Sequence, residues 1–348
     1  LTAAVDKTKL ALIGAGTIGK RHLKAIDEVD EAELIAIVDT NLDAEELAAQ
    51  RAVRFYSTTE EMLDDQPPDG VIVCTPTALH LQPVLASLDA GAHVFVEKPI
   101  TATMAEAMKI VEASERASRP VLVGHHRRHN EVIQKTRELV SDGSIGKLVG
   151  VSGVWAVRKA DSYYEPAWRK LRESGPVLIN LVHEIDSLRF ICGEIVSVTA
   201  RIQNGLRDHP KEETAAMLLE FEGGALGTFL LSDVAPSPWT WEQATGENPD
   251  FPLVSENVYR FVGSEASLEF PNLVLWRHTE GTADWNHLIT PQAIETDFED
   301  AYVAQCRHFC AVISGTEQPR ITAADAARSL LATLAVFESA EKRAEVRL

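Results

Sequence analysis

The sequence predicts an α/β protein in two parts: a parallel sheet covered by helices, then a second α/β region with a large, mostly antiparallel sheet. Three observations carry this. Short apolar runs alternate with amphipathic stretches over the first 125 residues; the runs beyond lengthen and begin to alternate; and the first run ends in a glycine-rich turn that opens a helix. Leu10–Ile13, Leu34–Val38, Val71–Cys74, Val94–Val96 and Val121–Val123 read as strands. Each is short and apolar throughout, as a strand buried on both faces must be. Between them, 18–29, 42–51, 79–90 and 105–117 are rich in Ala, Leu, Glu and Lys, with apolar residues at helical spacing. Phe55 with 59–63 forms a weaker strand–helix unit. Such alternation with right-handed crossovers gives a parallel sheet with helices on both sides, the Rossmann class.

Beyond residue 125 the period changes. The run 149–158 (VGVSGVWAVR) alternates, and 196–204, 214–221, 225–232, 257–262, 267–270 and 273–276 follow as further strands. Gly223-Gly224 between two apolar runs marks a hairpin. Alternation implies an antiparallel sheet with one packed face and one face open to helices or another subunit. Helices are expected from Val177 toward Phe190, over 300–314 and over 323–344, with long polar loops at 235–252 and 280–296. The expected division is 1–125 as a dinucleotide-binding domain and 126–348 as a substrate-binding and oligomerisation domain, its last helix packing back on the first.

The chain has 348 residues and a net charge of −19. So acidic a surface repels phosphate backbones and anionic lipid, which excludes nucleic acid and membrane as expected partners. No apolar run approaches the roughly 20 residues that span a bilayer. The amino-terminal run is short and broken by glycine, reading as a strand rather than a signal peptide. A cytoplasmic location is expected. Cys74, Cys192, Cys306 and Cys310 form no disulfide framework. Cys306 and Cys310 flank His308, but on a helix the histidine points away from the thiols, so buried thiols are expected there and no metal. No metal is expected at His125, His126 and His129 either, since only the first and last stand at a helix-compatible spacing.

Gly14-Ala15-Gly16-Thr17-Ile18-Gly19 directly follows the first strand and opens the first helix, the context a dinucleotide fingerprint requires. Gly14 serves the tight turn, Gly16 the approach of a pyrophosphate, and Gly19 close helix–strand packing. The helix start at Thr17 and Ile18 offers free N–H groups to phosphate. Asp39 ends the second strand, twenty positions after Gly19, where a carboxylate accepts from the adenosine ribose hydroxyls. No Arg or Lys lies between Asp39 and Glu46 to neutralise a 2′-phosphate, so NAD is favoured over NADP. Thr75, Pro76 and His80 follow the strand ending at Cys74, and Glu97-Lys98-Pro99 follows the strand ending at Val96. Both lie at the sheet edge where such folds bind ligands. A lysine there can donate to the oxygen of a reacting carbinol and stabilise alkoxide charge.

GAGTIGKRH at 14–22, CTPTALH at 74–80, EKP at 97–99 and GHHRRHN at 124–130 resemble, in order and spacing, the motifs of the Gfo/Idh/MocA family of NAD(P)-dependent oxidoreductases. AWRK at 167–170, SGPVLINLVHEIDSLRFICG at 174–193 and the closing helices are similar as well, so the likeness spans nearly the whole chain. It implies a dehydrogenase acting on the CH–OH group of a sugar, polyol or cyclitol, in a homodimer or homotetramer. The family's active-site histidine matches His183 and its lysine matches Lys98. In this reading Lys98 polarises the substrate oxygen and His183 takes the hydroxyl proton, as an imidazole with an ordinary pKa of about 6.5 can at neutral pH. Family members often carry an aspartate four residues before the histidine; Ile179 stands there, while Asn180 and Asp186 flank His183 at three-residue spacing. Asn180 can hydrogen-bond substrate or orient the imidazole but cannot accept a proton. Arg127 or Arg128, Trp155, Tyr163, Trp168 and Arg169 are further candidates for the substrate pocket. Aromatic faces stack on sugar rings, and arginines bind carboxylates or clustered hydroxyls. The resemblance leaves two alternatives open: an NAD-dependent glycosidase of the same fold, and a non-catalytic cofactor-sensing protein.

Overall fold

The computed structural model of the chain describes residues 7–248, 251–279, 283–297 and 299–348. Two compact units emerge. One takes the described residues up to 129 together with 299–330; the other takes the described residues of 130–298 together with 331–348.

The first unit alternates strand and helix: β1 (Thr8–Ile13), α1 (Thr17–Asp27), β2 (Ala32–Val38), α2 (Asp43–Gln50), β3 (Arg54–Tyr56), α3 (Thr59–Asp65), β4 (Gly70–Val73), α4 (Leu81–Asp89), β5 (His93–Val96), α5 (Met104–Ala117) and β6 (Val121–Val123). The six strands pair in the order β3-β2-β1-β4-β5-β6, all parallel. The order reverses between β1 and β4, so the crevice beyond their carboxyl ends is the switch point where open α/β sheets take ligands. Side chains on both faces of the central strands are buried, including Leu10, Leu12, Val71, Ile72, Val94 and Phe95. This explains why the runs carry no alternation. Thr58 and Thr103 start α3 and α5 by accepting the N–H of Glu61 and Glu106.

The second unit begins with α6 (Glu131–Ser141), followed by β7 (Leu148–Ala156), three short 3₁₀ turns between 161 and 174, a π-helix at Val177–Leu181 and α7 (Val182–Cys192). Then come β8 (Ile195–Gln203), β9 (Thr214–Phe221), β10 (Leu226–Ser232), α8 (Trp241–Thr245), β11 (Tyr259–Gly263), β12 (Ala266–Phe270), β13 (Val274–His278) and β14 (Ile289–Ala293). The helices α9 (Ala301–Ile313) and α10 (Ala323–Lys342) and the strand β15 (Val346–Arg347) complete the chain. Nine strands form one sheet in the order β14-β13-β12-β11-β7-β10-β9-β8-β15, antiparallel except for β7 beside β10. Its packed face contributes Val151, Met217, Leu219, Phe229, Phe261 and Leu268 to a core shared with Ile185 and Leu188 of α7. The opposite face leaves Leu218, Leu226, Leu230 and Val262 exposed.

Four features differ from the sequence expectation. The helix α6 was not anticipated, although Asn130 caps it by accepting the Val132 N–H at 3.0 Å and Ile133, Thr136 and Leu139 form its buried stripe. The expected loops at 235–252 and 280–296 contain α8 and β14; residues 249, 250 and 280–282 within them lie outside the described residues. Strand β14 (ITPQA) carries no apolar alternation, and its pairing with β13 defines it. The helix expected from Val177 opens as a π-helix, so Asn180 and His183 are not related by regular α-helical spacing. Residues 299–330 group with the first unit rather than with the rest of 126–348. Phe309, Cys306 and Val312 of α9 enter the core formed by Leu12, Ile72 and Phe95. Burial of a side chain such as Phe309 stabilises by about 1.5–3 kcal/mol. The unit boundary falls within α10, between residues 330 and 331.

Candidate functional site

In the first unit, the turn after β1 is shaped by three glycines with three different constraints. Gly14 has φ +92°, and a Cβ there would lie 2.8 Å from the backbone of Cys74 and Thr75. Gly19 packs against the Gly14 carbonyl, which a Cβ would strike. Gly16 is different: a Cβ would meet no protein atom within 4 Å. The protein itself therefore leaves room for a side chain there. Gly16 also caps α1, and no side chain bonds the helix's first N–H groups. Thr17 and Ile18 thus stand at an uncapped helix start with no acidic residue in its first turn. That is a ready anion site, and it fits a pyrophosphate.

Asp39, just past β2, accepts the Ala15 N–H at 2.7 Å through Oδ2 and the Asn41 N–H at 2.8 Å through Oδ1. It therefore braces the glycine turn, and each oxygen keeps a second lone pair for a ribose hydroxyl. Beyond β4, the Thr75 hydroxyl is buried with no protein partner and Pro76 leads into a 3₁₀ turn. These residues fit a dinucleotide.

His80 and Glu97 direct their side chains into the protein. His80 is 1% exposed, with Nε2 2.9 Å from the Thr75 carbonyl and Nδ1 3.1 Å from that of Pro99. It ties the loop after β4 to the loop after β5. Burial lowers its pKa, against the opposing pull of these carbonyls. Glu97 is buried; its Oε1 lies 2.7 Å from His22 Nε2 and its Oε2 accepts the Lys98 N–H at 3.0 Å. Burial raises the Glu97 pKa, but the His22 hydrogen bond and the charges of His22, Lys98 and His126 outweigh it, and the net shift is downward. Gly124 leaves the carboxylate its room, since a Cβ there would lie 2.8 Å from Oε1. Lys98 thus stands at the end of β5 on a fixed, anionic base, and the Lys98–Pro99 peptide is cis. Sequence reasoning assigned no role to His22 or Gly124. The signal for His22 was a polar residue on the buried stripe of α1 beside Leu23 and Ile26.

The other candidates of this unit are buried. Arg127 and Arg128 are 3% and 4% exposed, and Arg128 donates to Asp325 at 2.5 Å. His126 stacks on Tyr302 with ring centroids 4.6 Å apart. His308 Nε2 accepts the Arg320 N–H, so its proton sits on Nδ1, 2.6 Å from Glu317. Cys306 and Cys310 are buried, and among the described residues no group of three or more His, Cys, Asp or Glu could hold a metal ion.

In the second unit, His183 is 9% exposed on the first turn of α7. Its neighbour Glu184 accepts from the Tyr259 hydroxyl, and Asp186 lies 4.0 Å from Arg189. Asn180 accepts at 2.8 Å from the ammonium of Lys159, a residue that carried no assignment. The same signal that marked Lys98 could have found it: a lysine just past the end of a strand. Trp155 is buried, its indole N–H donating to Glu242 at 3.2 Å. Tyr163 is half-buried, with the Lys159 ammonium 5.0 Å and the Arg169 guanidinium 4.3 Å from its ring centre. Trp168 is 56% exposed. Beneath these lies a fully buried ion pair, Lys211 to Asp233 at 2.6 Å, with the Tyr164 hydroxyl on the same carboxylate oxygen at 2.7 Å. Burial, then the bond to Asp233, raises the Tyr164 pKa.

Comparison with known proteins identifies the family. The oxidoreductase family with an NAD-binding Rossmann fold matches residues 8–125, and the GFO/IDH/MocA C-terminal domain matches 133–269. The chain is 25% identical to a myo-inositol 2-dehydrogenase of Thermotoga maritima, covering 98% of both chains. It is also 25% identical to a scyllo-inositol 2-dehydrogenase (NAD(+)) of Bacillus subtilis, over 98% of this chain and 96% of the other. In fold it is similar to an Agrobacterium radiobacter oxidoreductase solved with NAD+, L-tartaric acid and magnesium. There the TM-score is 0.83 and the identity 20%, over 98% of both chains. With both halves matched in order, the chain belongs to the Gfo/Idh/MocA family and is an NAD-dependent oxidoreductase.

Proposed function

We propose that the protein interconverts a secondary alcohol and a ketone on a sugar, polyol or cyclitol. The observation that carries this reading is Lys98, held at a strand end by Glu97 and His22 in the same unit as an open glycine turn. NAD, when bound, supplies the hydride acceptor. The backbone at Gly14, Gly16, Thr17, Ile18 and Gly19 receives its phosphates, Asp39 its ribose, and Thr75 and Pro76 flank it. Lys98 donates to the carbinol oxygen and stabilises the alkoxide charge as it develops. His183 takes the hydroxyl proton. Asn180, Tyr163, Trp168 and Arg169 serve the substrate; Trp155 supports Lys159 from below, its ring centre 5.7 Å from the ammonium.

A screen of sugars and cyclitols with NAD, followed at the NADH absorbance, tests the reaction: NADH accumulates rather than sugar being released from glycosides. Lys98→Ala lowers kcat by about 10²–10³ while NADH still quenches or shifts in fluorescence on binding with near wild-type affinity. Equal turnover in that variant ends the assignment.

The exposed sheet face bearing Leu218, Leu226, Leu230 and Val262 supports a homodimer or homotetramer closed over it. No described helix is long and apolar enough to cross a membrane. Four cysteines without a disulfide support a cytoplasmic setting.

A further inference from the structure

The side-chain amide of Asn180 has one end that only accepts and one that only donates, so the end that faces the protein decides what the other can bind. Asn180 Oδ1 lies 2.8 Å from the Lys159 ammonium. An ammonium has protons to give and no lone pair, so the end turned to it is the carbonyl oxygen, and the NH2 end is fixed as a donor. Lys159 stands just past β7 on a settled base. Its backbone N–H donates to the Asp233 carbonyl at 3.1 Å, and its own carbonyl accepts from Arg207. The buried Asp233 carboxylate lies 4.0 Å from the Lys159 ammonium and 2.6 Å from that of Lys211, so the charge of Lys159 is already answered within the protein. The rings of Tyr163 and Trp155 stand 5.0 and 5.7 Å from the same ammonium. The helix that carries Asn180 is held at its start as well. Glu212, next to Lys211, accepts the Val177 N–H at 2.8 Å where the π-helix begins. Gly175 passes so close to that carboxylate that a Cβ would lie 2.2 Å from Oε1, and its carbonyl accepts the Ile179 N–H at 3.1 Å. Asn180 thus has an anchored backbone and a set polarity, in a wide helical turn of the kind that recurs at functional sites.

We propose that Asn180 is a hydrogen-bond donor to a non-reacting oxygen of the substrate, and that Lys159 is the positioning residue that makes it one. This rests on the reading of the chain as a dehydrogenase of polyhydroxylated substrates and deepens it. In that reading Lys98 and His183 serve the reacting oxygen with a donor and an acceptor, so a third group belongs to a neighbouring hydroxyl. An aspartate at position 180 would keep the bond to Lys159 but present a second acceptor, the opposite polarity. A bond to a non-reacting hydroxyl is equally strong before and at the transition state, so its loss appears in KM and not in kcat. Because Lys159 sets the amide in advance, little ordering is lost when the substrate binds.

The test measures initial rates of the whole enzyme with NAD, using myo-inositol and D-glucose as probes. Asn180→Ala and Asn180→Asp are both expected to raise KM about tenfold with kcat within about twofold of wild type. Lys159→Met, which leaves the amide able to turn either way, raises KM in the same direction, and Lys159→Arg, which restores a donor, recovers most of the loss. Added to Asn180→Ala, Lys159→Met raises KM no further, because it acts only through the amide. A KM at or below wild type in Asn180→Asp overturns the donor assignment, as does a loss carried mainly by kcat. A further loss in the double variant, or an unchanged KM in Lys159→Met, overturns the role of Lys159. If Lys159→Met does not fold, Lys159→Gln takes its place with the same outcomes. Should neither probe be turned over, the dehydrogenase reading fails for these substrates, and calorimetric titration of myo-inositol into the NADH-loaded enzyme decides Asn180 separately. A Kd about tenfold weaker in Asn180→Asp than in wild type supports the donor; equal or absent binding overturns it.

Discussion

Burial alone would drive a proton onto Glu97, yet the His22 imidazole at 2.7 Å, with Lys98 and His126 nearby, holds its pKa below the ordinary range. A lowered folded pKa means that the carboxylate adds stability above its unfolded value of about 4.3. That contribution is lost as the pH falls through the still lower folded value. Glu97→Gln therefore costs about 1.5–3 kcal/mol at neutral pH. In a pH series of thermal melts, the gap to wild type closes below about pH 4. A gap that does not change with pH would contradict the account of Glu97 as a stabilising carboxylate. Lys98 itself was legible in the sequence because it is a lysine at a strand end. Its partner was not, since His22 lies 75 positions from Glu97 and no local pattern joins them.

Among the elements, the turn from β1 into α1 holds glycines of two kinds within six residues, Gly14 and Gly19 hemmed in by backbone and Gly16 open. Gly19→Ala drives a methyl into the Gly14 carbonyl and lowers the melting temperature. Gly16→Ala meets no protein atom, and its φ of −67° suits any residue, so the melting temperature stays near wild type. NADH affinity nevertheless falls about tenfold, near 1.4 kcal/mol, because the methyl takes the space of the pyrophosphate. Fluorescence titration beside thermal melting checks both, and unaltered NADH affinity in Gly16→Ala would remove the cradle from Gly16. The parallel strands were readable because burial on both faces leaves uninterrupted apolar runs. Helix α6 and strand β14 were not: the first has a narrow buried stripe, and the second owes its existence to the hydrogen bonds of β13.

For the whole molecule, the open face of the nine-stranded sheet predicts association. Leu218 and Leu230 are 46% and 43% exposed on adjacent strands and share that face with Leu226 and Val262. Light scattering of the wild type is expected to give a multiple of 38.1 kDa, and Leu230→Asp to shift the population toward a single chain. A wild-type mass near 38.1 kDa would contradict the proposal. Alternation along β7, β9 and β10 announced one free face, since a period of two sends neighbouring side chains to opposite sides. From the sequence alone came the alternating strand–helix half, the glycine-rich turn and the lysine at the strand end, because each is written in residues a few positions apart; His183 was singled out only through the family resemblance. Only tertiary structure decided that 299–330 returns to the first unit, that Glu97 is charged against His22, and that Lys159 meets Asn180 twenty-one positions away. Periodicity and turn chemistry act over one or two turns of chain, whereas these pairings depend on which distant segments the core brings together.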